Sequence, residues 1–357
     1  MLEKPLNRAE RFCLRFGLKA PILLAPMAGA CPPSLSIAVA NAGGLGAGGV
    51  VMMPPAEILE WVRAVRAQTR GPFQLNNWIP GPPPHRDAAH EARVRAFLAR
   101  WGPPVPAEDA DKALPDFQAQ CDAMLQAAPA AVSSIMGMFA PELVERLKKQ
   151  GIAWFATVTT VEEARQAEAA GADVIVAQGA EAGGHRGSFQ SEGAEARLVG
   201  LFSLLPCVVD AVRVPVVATG GIADARGVAA ALLLGASAVQ IGTGFLRCPE
   251  AQLHPAWAET LARTLPEQTV ITRVFSGRAG RGLATAYVQA AMSPEAPAPA
   301  PYPVQRMLTA RMRSAAQQEG DLQRMQAWAG QSASLARAVP AGELLADLWG
   351  TAQQLLS

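Results

Sequence analysis

A chain of 357 residues, half of them apolar and 17% charged, is long enough for one large domain or two ordinary ones and too rich in core-forming side chains to be disordered. Its 31 basic and 30 acidic side chains leave a formal charge of +1, which supplies no field for DNA, RNA or an anionic membrane. The five cysteines, Cys13, Cys31, Cys121, Cys207 and Cys248, are scattered and form no C-x-x-C pair, which argues against a disulfide framework or a zinc site.

At the start of the chain, Glu3, Lys4, Arg8, Glu10, Arg11, Arg15 and Lys19 interrupt what would have to be the apolar stretch of a secretory leader, so a cytoplasmic protein is expected. Residues 20–56 and 227–246 carry no charged side chain. Prolines and glycines break both runs short of the about 20 continuous apolar residues of a membrane span. Such runs suit strands buried on both faces.

Eight short apolar runs predict strands at 21–25 (PILLA), 44–48, 73–76 (FQLN), 131–134, 152–157, 174–178 (VIVAQ), 215–219 (PVVAT) and 238–241 (AVQI). Helical stretches separate them. The segment 141–150 opens with Pro and Glu and ends in Lys148, Lys149 and Gly151, and 160–170 begins with a Thr160 cap and stops at Gly171. Strands alternating with helices eight times predict a parallel (β/α)8 TIM barrel of the α/β class. Residues 80–130, starting with PGPPP, read as two polar helices near 88–100 and 116–127. Residues 250–335 show helical pieces, the connector SPEAPAPAPYP, a helix at 304–320 and no clear strand pattern. The predicted organisation is therefore a barrel over 1–249, a helical cap or second domain over 250–335 inserted after the eighth strand, and a returning helix over 336–357, with Leu344, Leu345, Leu348 and Leu355 on its apolar side.

Residues 44–49 (GLGAGG) match the G-x-G-x-x-G pattern, but Val50 to Met53 and then Pro54-Pro55 follow, so no helix opens at the third glycine as a dinucleotide turn requires. The strongest constellation is AQGAEAGGHRG at 177–187, placed at the C-terminal end of the sixth strand, where barrels carry their active sites. Its four glycines allow close backbone approach to a flat ligand, and His185 is the candidate base. ATGGIAD (218–224) and QIGTGF (240–245) follow the seventh and eighth strands, the usual phosphate-binding positions of the fold. Met27 and Ala28 after the first strand, and Asn76 and Asn77 at the end of the third, also have positions from which to reach a ligand. His85, His90 and His254 read as solvated. Ser276 to Gly282 (SGRAGRG) reads either as an anion-holding loop or as a flexible exposed one.

APMAGA (25–30), AQGAEAGGHRG, VVATGGIAD and AVQIGTGF, in this order and at these strand ends, resemble the nitronate monooxygenase family, formerly called 2-nitropropane dioxygenases, and Trp328-Ala329-Gly330-Gln331-Ser332 is similar to a segment of its bacterial class I. The resemblance implies FMN across the barrel mouth. Met27 and Ala28 would border the isoalloxazine, with Asn76 nearby; Gln178 and Gly183 would hold it from the sixth strand; Gly220, Gly221, Gln240, Gly242 and Thr243 would take the ribityl phosphate. His185 would face the substrate, a small nitronate or nitroalkane that O2 helps convert to a carbonyl compound and nitrite. Tyr302 is a further candidate substrate contact, one of only two tyrosines in a family that the resemblance implies shapes its substrate pocket with aromatic hydroxyls of the cap. A monomer or homodimer is expected. Two other functions stay open: an FMN-dependent NAD(P)H reductase of quinones or enoyl thioesters on the same barrel, and a non-catalytic flavin-binding sensor.

Overall fold

The computed structural model describes residues 3–357; the first two residues of the expected barrel segment lie outside it. Eleven strands are present among the described residues: β1 Ile22–Leu24, β2 Gly46–Gly49, β3 Phe73–Trp78, β4 Ala131–Ile135, β5 Ala153–Val158, β6 Val174–Gln178, β7 Gly184–His185, β8 Val216–Thr219, β9 Ala238–Ile241, β10 Thr269–Thr272 and β11 Gly280–Leu283. Eight of them form one parallel sheet in the order β1-β9-β8-β6-β5-β4-β3-β2. A parallel bridge between Leu23 and Leu45 joins its two edges, so the sheet closes into the expected TIM barrel.

Residues alternate along each strand between the barrel interior and the helices outside. At the N-terminal end the interior is apolar: Leu23, Leu45, Ala131, Phe155, Val174, Val217 and Ala238 form one cluster with Phe12, Cys13 and Leu18. Phe12 and Cys13 belong to helix Pro5–Phe16, which closes this end, with the Phe16 and Phe155 rings 5.1 Å apart edge to face. One layer higher the interior becomes polar. Gln74, Asn76, Ser133, Thr157, Gln178, Thr219 and Gln240 are all buried there, and a chain that keeps seven polar side chains at this depth faces its active end with them.

The glycines of β2 serve packing. A Cβ on Gly46 would collide with Ser36 Oγ and one on Gly48 would lie 3.0 Å from the Trp61 ring, so these residues let helices Pro33–Asn41 and Pro55–Arg66 sit directly on the strand. No dinucleotide turn is present at this position. Helix Ala341–Leu356 returns against helices Ala225–Leu233 and Pro33–Asn41, completing the outer ring through Leu344, Leu345 and Leu348.

Residues 250–335 do contain strands, contrary to their sequence pattern. β10 pairs antiparallel with β11, and β11 with β7. The pattern of β11, Gly-Arg-Gly-Leu, hides a strand because its glycines are cut to fit Trp328: a Cβ on Gly280 would meet the indole at 3.0 Å. Of the two helices read in 80–130, Ala88–Leu98 contributes Val94 and Leu98 to an apolar cluster with Val274, Phe275, Tyr287 and Met312. The other, Phe117–Ala127, packs instead with the barrel helices. No helix among the described residues is long and apolar enough to cross a membrane.

Candidate active site

The sixth barrel strand delivers the centre of the site. Beyond Gln178 the chain turns through glycines and re-enters extended structure as β7, whose His185 pairs with Gly280. The imidazole packs edge to face against Trp78, with ring centres 4.5 Å apart, and against Trp328 at 4.9 Å. Its Nε2 lies 2.8 Å from Ser276 Oγ. Ser276 has no exposed surface, and its hydroxyl also lies 3.2 Å from the Arg278 carbonyl, to which it donates. Nε2 and the Ser276 hydroxyl thus share one hydrogen bond, whose donor is set by the imidazole tautomer. Dense packing, followed by the charges of Arg306, Arg278 and Arg313, pushes the His185 pKa down to about 3, so the ring is neutral near pH 7. As a residue His185 is half-buried.

Gln178 is engaged chiefly with its own loop. Its Oε1 accepts from the Gly187 N–H at 2.8 Å and from Arg186 Nη1 at 3.3 Å, while Nε2 donates to the His185 carbonyl at 3.1 Å. It therefore sets the course of the chain into β7. Across the barrel, Gln74 Nε2 donates to Gln240 Oε1 at 3.0 Å, leaving Gln74 Oε1 buried with no partner. Asn76 points inward, its Nδ2 donating to Ser133 Oγ at 3.0 Å; Asn77 points outward to Gln120 Oε1 at 2.9 Å, so only the first of the pair reaches the mouth. Met27 and Ala28 line the turn after β1, where Met27 Sδ would be 3.3 Å from a Cβ on Gly242 and the Ala28 amide nitrogen 2.9 Å from one on Gly49.

After β8, Gly220 and Gly221 have φ values of +105° and +72°, and their N–H groups donate to no acceptor among the described residues. A non-glycine side chain would strain this turn. Over it lies the segment Trp328 to Ser332: Gly330 N–H donates to Thr243 Oγ1 at 3.0 Å, Gln331 N–H to the Glu181 carbonyl at 3.0 Å, and Ser332 Oγ to the Gly221 carbonyl at 2.5 Å. Gly183 lies directly beneath, where a Cβ would come 2.5 Å from the Gly330 nitrogen. The turns after β6, β8 and β9 are thus brought together under one strap.

Tyr302 also reaches the site, its ring 5.5 Å from that of Trp78. The SGRAGRG segment is neither flexible nor exposed: Ser276 is buried, and Arg281 donates to the Ala180 carbonyl at 3.0 Å and to Thr269 Oγ1 at 3.0 Å. Sequence reasoning missed Ser276, Trp78 and Gln74 as site residues. Trp78 directly follows the Asn pair at a strand end and was the most accessible of the three to find; Ser276 has no local signal, since its partner is 91 positions away.

The residues fit a flavin. Gln74 Oε1 is a buried acceptor open to a ring N–H, and the open N–H groups of Gly220 and Gly221 form a nest for an anion. Among the described residues, no three or more His, Cys, Asp or Glu are grouped to hold a metal.

The nitronate monooxygenase family model matches residues 12–350. The chain is 39% identical to the nitronate monooxygenase of Paraburkholderia phytofirmans, over 93% of this chain and 92% of that one. The crystal structure of the nitroalkane oxidase from Streptomyces ansochromogenes superimposes with a TM-score of 0.87 at 36% identity, covering 96% of this chain and 99% of that one. FabK from Thermotoga maritima is also similar, with a TM-score of 0.75 at 28% identity, covering 97% and 96%. A barrel whose sixth-strand loop presents one histidine above glycine turns, matched over almost its whole length, belongs to the nitronate monooxygenase family, whose members are oxidoreductases and generally flavin-dependent.

Proposed function

We infer that this protein binds FMN across the barrel mouth and oxidises alkyl nitronates with O2. The observation that carries the reading is the placement of His185, seated between two indoles and tied to Ser276 at the rim where the glycine turns converge. Gly220, Gly221, Gly242 and Thr243 take the phosphate through backbone N–H groups. Gln74 accepts from the flavin ring, and Met27, Ala28, Asn76 and Gly183 border it. When bound, FMN would supply the redox chemistry by which a nitronate and O2 give a carbonyl compound and nitrite.

The protein's own part is binding, orientation and proton control. Trp78, Trp328 and Tyr302 wall the substrate space and exclude water. The arginine charges around His185 favour an anion over a neutral molecule. Because the free imidazole is such a weak base, removing a proton from a neutral nitroalkane is unfavourable until negative charge develops beside it. Preformed nitronates are therefore the better substrates, and neutral nitroalkanes the poorer. Segment 250–335, joined by the helix Ala88–Leu98, serves as the cap that covers this space.

The test is anaerobic mixing of the flavin-loaded protein with propyl-2-nitronate, which is expected to change the flavin absorbance within the mixing experiment, followed by NADH or NADPH, which is expected to leave it unchanged. Rapid bleaching by a reduced nicotinamide with no response to nitronate would favour a reductase. Tightly bound flavin that responds to neither would favour a non-catalytic sensor.

A further inference from the structure

The ribbon formed by β7 and β11 has two faces, and its register assigns each residue to one of them. His185 stands opposite Gly280, and Gly184 opposite Arg281. Cross-strand partners share a face while neighbours along a strand alternate, so His185 and Gly280 belong to one face and Gly184 and Arg281 to the other. Arg186 follows His185 and is still paired to β11, its N–H donating to the Ala279 carbonyl at 2.9 Å, so its side chain joins that of Arg281. The first face carries the imidazole between Trp78 and Trp328. The second carries two buried guanidinium groups, the arginines being 6% and 9% exposed.

Both reach the end of β6. Arg186 Nη1 donates to the Gln178 carbonyl at 2.9 Å and to the Gly179 carbonyl at 2.8 Å, and Arg281 Nε donates to the Ala180 carbonyl at 3.0 Å. Three successive carbonyl oxygens of the sixth-strand loop are thus gripped by two side chains of one ribbon. Neither arginine pairs with a carboxylate among the described residues. The acids whose charges reach Arg186, Glu163 and Glu181, bond elsewhere, the first to Thr159 and Phe189 and the second to the Leu201 N–H. Burying a guanidinium against carbonyl groups alone is costly: it holds the Arg186 pKa down at about 10 and leaves Nε and Nη2 with no partner. What the cost secures is geometry. The two protons of Arg186 Nη1 hold adjacent carbonyls at a fixed angle, and a second grip from the neighbouring strand fixes the tilt of the ribbon as well as its height.

We propose that Arg186 and Arg281 are positioning residues for His185: they mount the ribbon that carries the imidazole on the end of β6 and so set where the ring stands over the barrel mouth. This rests on the role given to His185 above and adds the means by which the ring is held. The two arginines act through the backbone, from the face of the ribbon that points away from the imidazole.

The experiment reads the ring itself, by NMR of the full-length, flavin-loaded protein labelled with nitrogen-15 histidine, the His185 signal being assigned by its loss in His185→Asn. In the wild type the ring is expected to stay neutral from about pH 8 to about pH 5, since its pKa lies at about 3. Arg186→Met keeps the bulk of the side chain and removes its grip. The ribbon then lifts, water reaches the imidazole, and the ring is expected to titrate within that range, with kcat for propyl-2-nitronate falling about tenfold or more and KM changing less than about threefold. The charges of Arg306, Arg278 and Arg313 around the ring are the same in wild type and variant, so the change reads burial. Arg186→Lys, which retains a charged donor, is expected to recover part of both effects. Added to His185→Asn, Arg186→Met is expected to lower the residual kcat less than about twofold further, because its effect passes through a ring already removed. If Arg186→Met does not fold as the wild type does by circular dichroism, Arg281→Met provides the same comparison; failure of both to fold would assign the arginines to stability alone and overturn the proposal. An unchanged His185 titration in a folded variant, or an undiminished loss of kcat on the His185→Asn background, would overturn it as well. Failure of the wild type to consume propyl-2-nitronate would instead remove the nitronate reading and leave the NMR comparison standing.

Discussion

Ser276 Oγ and His185 Nε2, 91 positions apart in the chain, lie 2.8 Å from one another, and this hydrogen bond ties the cap to the sixth-strand loop. It holds the ring against Trp78. Losing a buried hydrogen bond of this kind costs about 1–3 kcal/mol, and about 1.4 kcal/mol is a factor of ten in rate. Ser276→Ala is therefore expected to lower kcat with a nitronate about tenfold to a hundredfold while the flavin content stays at the wild-type level. Steady-state kinetics with flavin quantified by absorbance checks this; unchanged turnover would reduce the contact to packing.

The depressed pKa of His185 has a direct effect on stability. In the unfolded chain the ring takes up a proton as pH falls through about 6.5, whereas the folded protein resists until about 3. The unfolded state thus binds more protons between these limits. The contribution is fully present above about pH 6.5 and is lost progressively as pH falls toward 3. The melting temperature is expected to drop from pH 6.5 to pH 4, with a shallower slope in His185→Asn. That variant is also expected to keep its flavin and to lose turnover, most severely with neutral nitroalkanes.

Gly183 and Gly184 are neighbours with opposite tolerances. A Cβ on Gly183 strikes the Gly330 nitrogen at 2.5 Å and the Ala329 carbonyl carbon at 2.7 Å, both backbone atoms of the strap. On Gly184 it would enter open space, and the cost is that of φ at +76° alone. Gly183→Ala is expected to cost about 1–3 kcal/mol and to loosen the strap over the β8 turn, releasing flavin on dilution. Gly184→Ala is expected to cost about 1–2 kcal/mol and to retain it. Thermal melts and flavin fluorescence after gel filtration separate the two.

Asp109 anchors the segment after β3 to the cap. Its carboxylate, only 2% exposed as a residue, meets Arg311 at 2.5 Å and Lys112 at 2.7 Å, and these partners hold its pKa down at about 2. Asp109→Ala removes both partners' acceptor and is expected to lower the melting temperature and to speed proteolysis within the cap, leaving the barrel resistant. Limited proteolysis followed by mass analysis checks the location of the first cuts.

The barrel was legible because its strands are short, apolar and bounded by turn residues: VIVAQ at 174–178 is β6 without adjustment. The glycine turns and His185 were legible for the same reason, since strand ends locate loops. What escaped was whatever depends on contact between distant segments. β11 reads Gly-Arg-Gly-Leu because Trp328 lies on its glycines, and no periodicity records that. The arginines of 278–281 look alike in sequence, yet Arg281 is spent on carbonyl groups while Arg278 is not. Gln178 likewise reads as a ligand contact but is mostly occupied by its own loop. Local pattern reveals where a side chain emerges; tertiary partners decide whether it is available.

The helix Pro5–Phe16 stoppers the barrel with Phe12 and Phe16 against Phe155. A vessel corked at its base is approached from the opposite rim. On the reading proposed above, the organic substrate and its product are then expected to pass the rim lined by Trp78 and the glycine turns.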